Sequence, residues 1–210
     1  MLTVLIDYDS GNLHSAHKAF ERMARESDAG EILVSDKAED VARADRIVLP
    51  GDGAFPACMH ALQGTGGLFD ALIEAVEIRA RPFLGICVGM QLMAHEGFEY
   101  TPTKGLGWID GTVHKIKAPG LKIPHMGWND LQIDTQHPVL DGIQPGEHAY
   151  FVHSYQMEMG TSTHRLAHVD YGQDVTAIVA QGTKIGTQFH PEKSQATGLR
   201  LIRNFLKWAP

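Results

Sequence analysis

Phe83-Leu84-Gly85-Ile86-Cys87-Val88-Gly89-Met90-Gln91 decides how the rest of the chain is read. Pro82 to Ile86 is a short apolar run of the kind that forms a buried strand, and a helix is expected over 88–94 directly after Cys87. A strand that becomes a helix within Gly-x-Cys-x-Gly is the thiol counterpart of the Gly-x-Ser-x-Gly nucleophile elbow. Such a corner forces its central residue into strained dihedrals and pushes the side chain out over the sheet edge. The flanking glycines are needed because a Cβ at either position would collide with the neighbouring strand or helix. The thiol then lies at a helix N-terminus, where partial positive charge favours a thiolate. The Val88 N–H is free to face a developing oxyanion.

A buried cysteine in an α/β crossover is the plainer alternative. It is adopted for Cys58, in Pro56-Ala57-Cys58-Met59, where nothing nearby is electropositive or glycine-rich. At Cys87 the elbow context favours chemistry.

Working outward, Leu2–Ile6 reads as a buried strand followed by a polar turn, and Leu13, Ala16, Phe20 and Met23 then fall at helical spacing. Ile32–Val34 is a second strand, 36–44 a helix, and Arg46–Leu49 a third strand expected to stop at Pro50-Gly51. Helical pattern over 68–78 leads to the strand that feeds Cys87. Strand and helix alternating in this way build a parallel sheet with helices on both faces. The second half is strand-rich, with runs at 113–116, 130–133, 150–155, 165–169, 176–181 and 184–189. Gln181-Gly182-Thr183-Lys184 is a hairpin connection. A last helix from about Ala196 to Trp208 has Leu199, Ile202, Phe205 and Leu206 on its apolar face. There is no repeat, low-complexity segment or linker, so one mixed α/β domain over residues 1–210 is expected.

Bulk properties narrow the function. A length of 210 residues with 43% hydrophobic and 20% charged content suits an ordinary globular domain. A net charge of −7 without a basic block argues against a nucleic-acid surface. Apolar stretches fall short of the ~20 residues of a membrane helix, and no basic region precedes Leu2, so neither a membrane span nor a signal peptide is expected. Two cysteines make no disulfide framework. A reduced, cytoplasmic enzyme is the expectation.

Among 12 histidines, His190 differs because it ends the apolar run Ile185–Phe189 and opens His190-Pro191-Glu192-Lys193-Ser194. In an extended segment, residues two apart project to the same side. Glu192 could then accept from one nitrogen of His190 while the other faces the thiol, the order of nucleophile, base and carboxylate orienter. A strand-end histidine beside a solvated glutamate is the alternative, and the pair gains weight only alongside Cys87. His137-Pro138 lacks an acidic residue two positions on. Leu49-Pro50-Gly51-Asp52-Gly53-Ala54-Phe55 closes a parallel strand before a helix, and successive N–H groups in such a turn form a concave anion site. Loops of this kind line the crevice at strand C-termini, the same edge as the elbow. A phosphate site would require a fuller glycine fingerprint.

Together these residues resemble the class I, triad-type glutamine amidotransferases. Gly85–Gln91 and His190–Glu192 match its two hallmark motifs in the expected order. Asp7-Tyr8-Asp9-Ser10-Gly11-Asn12-Leu13, Pro50–Phe55, Pro124-His125-Met126-Gly127-Trp128-Asn129 and Tyr150-Phe151-Val152-His153-Ser154-Tyr155 are similar to one branch of that family. Its members are glutaminase subunits in histidine biosynthesis, and the resemblance covers essentially the whole chain. It implies a three-layer, flavodoxin-like α/β fold with a central, mostly parallel sheet and an additional β region in the second half. It further implies that Cys87 attacks the glutamine carboxamide, His190 relays protons and Glu192 orients the imidazole. Val88 and the Gly51-Asp52 peptide would form the oxyanion hole, and Gln91, Gly53, His153, Ser154 and Tyr155 would hold the amino-acid end. Ammonia would pass to a (β/α)8-barrel cyclase in a heterodimer, with Gly11, Asn12 and Lys193 at the interface. No cofactor and no metal site is expected.

Two positions depart from the family pattern: Asp52 stands where a small apolar residue is expected, and Asp9 where glycine is frequent. Other readings are a glutaminase serving an anthranilate or aminodeoxychorismate synthase, a module with a vestigial site, and a free-standing cysteine hydrolase. The Asp7–Leu13 and Pro124–Asn129 motifs speak against the first. The intact triad speaks against the second, and Gln91 with the Pro50–Phe55 loop against the third.

Overall fold

The computed structural model describes residues 1–9 and 13–210. The first half alternates as expected: β1 (Leu2–Ile6), α1 (Leu13–Ser27), β2 (Glu31–Ser35), α2 (Ala38–Arg43), β3 (Arg46–Gly51), α3 (Phe55–Gly64), α4 (Leu68–Ile73), β4 (Phe83–Cys87) and α5 (Val88–Gln91). Then come β5 (Glu96–Gly97), β6 (Thr103–Lys104), β7 (Gly111–Lys115), β8 (His125–Asp130), β9 (Gln132–Ile133), β10 (His148–His153), β11 (Tyr155–Met159), β12 (Arg165–Asp170), β13 (Asp174–Gln181) and β14 (Lys184–Thr187), before α6 (Gln195–Lys207).

An eight-stranded sheet in the order β2-β1-β3-β4-β14-β13-β12-β9 forms the centre. Pairings from β2 through β14 are parallel, and those from β14 to β9 are antiparallel. Val4, Leu5, Ile47, Val48, Phe83 and Leu84 are completely buried, because strands covered on both faces need uninterrupted apolar runs rather than alternation. The chain runs from β1 outward to β2 and back past β1 to β3, and crossovers in opposite directions put their helices on opposite faces. Helix α1 packs on α6 on one face, and α2 packs on α4 on the other. The apolar stripe of α1 is Ala16, Ala19, Phe20, Met23 and Ala24, and that of α6 is Leu201, Ile202, Phe205 and Leu206. Buried Arg46 reaches from β3 to the Phe205 and Trp208 carbonyls at 3.3 and 2.8 Å, satisfying acceptors at the end of α6. No helix among the described residues is long and apolar enough to cross a membrane.

Several boundaries differ from expectation. β3 runs on through Pro50 and Gly51, because its pairing with β1 ends at Val48 and only β4 accompanies it further. A proline is tolerated where one side of a strand has no partner. The helix expected over 88–94 stops at Gln91, and that expected over 68–78 becomes a π-helical turn at Glu74–Ile78. The expected strand over 150–155 is two strands in different sheets. β10 pairs with β8, β11 pairs with β7, and the chain changes sheets at Ser154. The expected strand over 130–133 is likewise broken, since β8 ends at Asp130 and β9 begins at Gln132. β8 carries its apolar residues Met126 and Trp128 on the exposed side, its inner residues being a histidine, a glycine and an asparagine, so periodicity does not mark it as a core strand. At Asp9 φ is +61°, the left-handed region in which glycine is favoured and aspartate is among the tolerated alternatives.

Candidate active site

Sheet register assembles the site. Gly51 lies opposite Cys87 across β3 and β4, and Thr187 lies opposite Ile86 across β14 and β4. Three loops therefore leave one sheet edge side by side, carrying 52–54, Val88 and 188–190. This is the carboxyl end of adjacent parallel strands, where α/β sheets present ligands.

Cys87 sits at φ +55°, ψ −112°, a conformation that costs a non-glycine residue on the order of 1–3 kcal/mol. The flanking glycines admit it. A Cβ on Gly85 would lie 2.5 Å from the Gly89 carbonyl oxygen, and one on Gly89 would lie 1.9 Å from that of Leu49. With α5 only four residues long, the helix contributes little field, and the imidazole is the stronger electrostatic neighbour of the sulfur.

His190 is buried and hydrogen-bonded through Nδ1 to Glu192 Oε1 at 2.9 Å, with Cys87 as its other electrostatic partner. Glu192 reaches it by a route other than an extended strand. Residues 191–193 form a 3-10 turn with His190 at its N-cap and Pro191 in the first position, a place where proline's fixed φ is well accommodated. Burial by itself lowers the imidazole pKa. The interactions with Cys87 and with Glu192 outweigh it and raise His190 to about 10. Cys87, His190 and Glu192 thus form a buried row. The Ser194 hydroxyl braces it by donating to the His190 carbonyl at 2.7 Å and accepting from the Tyr150 N–H at 2.9 Å.

A cavity of about 140 Å³ opens beside the sulfur, lined by Asp52, Gly53, Gln91, Glu99 and the 152–155 segment among others. Drug-sized ligands occupy roughly 300–1,000 Å³, so this space suits an amino-acid side chain. Gln91 Nε2 donates to the Tyr155 carbonyl at 3.0 Å and to Gln188 Oε1 at 3.0 Å. His153 lines the cavity, but its Nδ1 meets the Tyr155 carbonyl at 2.8 Å and its Nε2 meets His125 Nδ1 at 2.9 Å. Its ring therefore supports the wall, while Ser154 and Tyr155 form part of it. Asp52 is exposed at the mouth, and its carbonyl accepts from the Cys58 thiol at 3.8 Å, so Cys58 lies directly beneath the loop. Lys193 is half-buried after Glu192; Gly11 and Asn12 lie outside the described residues.

Three contributors escape a reading of the sequence. Glu99 places its carboxylate in the cavity while accepting the Phe55 N–H at 2.8 Å. Gln188 turns its amide toward Cys87, and Ser194 holds the His190 backbone. Glu99 sits in an irregular stretch with no motif around it. Gln188 and Ser194 flank His190 within the quoted motif, and that adjacency is the only local signal they carry.

The family model for glutamine amidotransferase class-I matches residues 4–208. The chain belongs to the class I glutamine amidotransferases. It is 67% identical to an imidazole glycerol phosphate synthase subunit HisH of Cereibacter sphaeroides and 64% identical to that of Ruegeria pomeroyi, each alignment covering 100% of both chains. A crystal structure of a glutamine amidotransferase superposes with a TM-score of 0.73 over 97% of both chains at 21% identity, which shows the shared fold. Within this amidotransferase fold the chain matches the expected α/β architecture with its mostly parallel central sheet.

Proposed function

We propose that the chain is the glutaminase subunit of an imidazole glycerol phosphate synthase, releasing ammonia from glutamine for histidine biosynthesis. The observation that carries this is the buried row of Cys87, His190 and Glu192 facing a cavity of amino-acid size. Likeness to the subunits named above supplies the synthase.

In this mechanism the Cys87 thiolate attacks the carboxamide carbon, and the electron pair of the carbonyl moves to oxygen. Val88 N–H and the N–H of the Gly51-Asp52 peptide stabilise that oxyanion. The His190 imidazolium protonates the departing nitrogen, ammonia leaves, and a glutamyl thioester remains. Neutral His190 then takes a proton from water, hydroxide adds to the thioester, and collapse expels the thiolate with glutamate. Glu192 fixes the ring and supports its charge. Gln91, Gly53, Ser154 and Tyr155 hold the amino-acid end, His153 backs them, and the Glu99 carboxylate accepts the α-ammonium. No cofactor or metal enters this scheme.

In water ammonia would be mostly protonated and unreactive, which makes a sealed passage to a second subunit chemically sensible. That subunit is a (β/α)8-barrel cyclase forming a heterodimer, producing imidazole glycerol phosphate and an aminoimidazole carboxamide ribonucleotide. Met126 and Trp128 are large apolar side chains left exposed on β8, and Trp128 shares a surface hollow with Ser194 and Gln195, just after Lys193. Lys193 extends the same docking face, and Gly11 and Asn12, which lie outside the described residues, join the interface by family resemblance. The chain acts as one domain over 1–210 in the cytoplasm. Glutamine turnover measured with and without the cyclase and its ligand tests the assignment. A steep rise on adding both is expected; full activity alone on unrelated amides would overturn it.

A further inference from the structure

Gln188 lies one residue beyond β14, is completely buried, and places its amide nitrogen 3.8 Å from the Cys87 sulfur. An amide beside a sulfur can present either its NH2 group or its oxygen. The first steadies a thiolate and the second opposes it. Which end faces the sulfur follows from the hydrogen-bond network around it.

The Tyr155 carbonyl can only accept. It receives Gln91 Nε2 at 3.0 Å and His153 Nδ1 at 2.8 Å. Gln91 therefore turns its NH2 group this way, and the same group meets Gln188 Oε1 at 3.0 Å. With its oxygen committed to Gln91, Gln188 directs its own NH2 at the sulfur. The histidine arm is polarised by the same anchor. A neutral His153 that donates through Nδ1 must accept at Nε2, so His125 donates from Nδ1 across 2.9 Å. His125 Nε2 then accepts from Asn129 Nδ2 at 3.2 Å, and that amide gives its other proton to the Asp170 carbonyl at 2.9 Å. Burial keeps both rings neutral, lowering His125 to about 4 and His153 to about 3. His125 is also clamped between Tyr171 and Phe151, with ring centroids at 4.1 and 4.8 Å. Every group between the two carbonyls has a single orientation.

We infer that Gln188 is a hydrogen-bond donor to the Cys87 sulfur that favours its thiolate form, with Gln91 fixing the direction of the donor. His153 and His125 are positioning residues that hold the Tyr155 carbonyl from which this direction is set. The inference rests on Cys87 being the nucleophile. Beyond packing, it assigns Gln188 a task in the reaction: keeping the attacking sulfur charged before glutamine arrives.

The test is alkylation of the folded chain by iodoacetamide across a pH series, with modification of the Cys87 and Cys58 peptides followed separately by mass. In the wild-type protein Cys87 should react far faster than buried Cys58; equal rates would sink the nucleophile assignment itself. Gln188→Met keeps bulk and removes the donor, and should slow Cys87 about tenfold at neutral pH with the profile displaced to higher pH. Gln188→Glu keeps the shape, places a carboxylate at the sulfur, and should displace the profile further. Gln91→Met, which does not touch the sulfur, should displace it in the same direction by less, and it decides the matter if the Gln188 variants do not fold. Folded variants that retain the wild-type profile overturn the inference while leaving the nucleophile in place.

Discussion

At the scale of single residues, Cys87 and His190 are intelligible only as a pair. The imidazole would be pushed down by burial, yet it rises to about 10 because sulfur and carboxylate both stabilise its charged form. The sign of the consequence follows. A group whose pKa in the folded state lies above its ordinary 6.5 contributes stability that is complete below 6.5 and lost as pH climbs through about 10. Removing the sulfur removes the first of the raising influences. In Cys87→Ala the His190 ring is expected to titrate well below its wild-type value, as read by NMR of the imidazole, with glutaminase activity abolished and the fold intact. An unchanged titration would show that Glu192 alone holds the charge. Asp52 belongs to this scale too: it is exposed at the cavity mouth and shares a peptide with Gly51, which lies opposite Cys87.

At the scale of elements, the site is a register phenomenon. β3, β4 and β14 deliver three loops to one edge because Gly51 aligns with Cys87 and Thr187 with Ile86. The short 3-10 turn after His190 then needs an anchor of its own. β10 supplies it: the His190 N–H donates to the Tyr150 carbonyl at 3.1 Å, and Ser194 closes the link from the other side. Ser194→Ala leaves the half-buried Tyr150 N–H without its acceptor, and the loss of such a bond costs about 1 kcal/mol. A lowered urea midpoint together with a reduced kcat is the expected result. Reduced stability with full kcat would mean that the turn holds its shape unaided.

At the scale of the whole molecule, the second-half strands give the amidotransferase layer a face that the central sheet lacks. The β8–β10 ribbon keeps His125, Phe151 and His153 inside and leaves Met126 and Trp128 outside, at 61% and 47% exposure. An exposed tryptophan on a rigid ribbon is the kind of anchor that dominates protein interfaces. Trp128→Ala is expected to weaken association with the proposed cyclase subunit by about 2 kcal/mol, roughly thirtyfold, without altering glutamine hydrolysis by the isolated chain. Calorimetry of the two purified subunits reads this directly, and unchanged affinity would place the docking face elsewhere.

Much of this molecule is written locally. The elbow is legible because strain, glycine spacing and the strand-to-helix change all occur within a few residues. The four strands of the first half are legible because burial on both faces demands continuous apolar runs. His190 and Glu192 were readable as a pair, although the turn that joins them was not, since proline suits both an extended segment and the first position of a 3-10 turn. The break at Ser154 was hidden because Tyr150–Tyr155 has strand composition throughout, and only the pairing partners divide it. Glu99 beside Phe55, Ser194 beside Tyr150 and Gln188 beside Cys87 are separated by 44, 44 and 101 positions. The sequence by itself determined the elbow, the parallel core and the family. Tertiary structure alone decided which amide faces the sulfur and which carboxylate enters the cavity, because hydrogen bonds between distant residues impose no period or spacing on the chain that makes them.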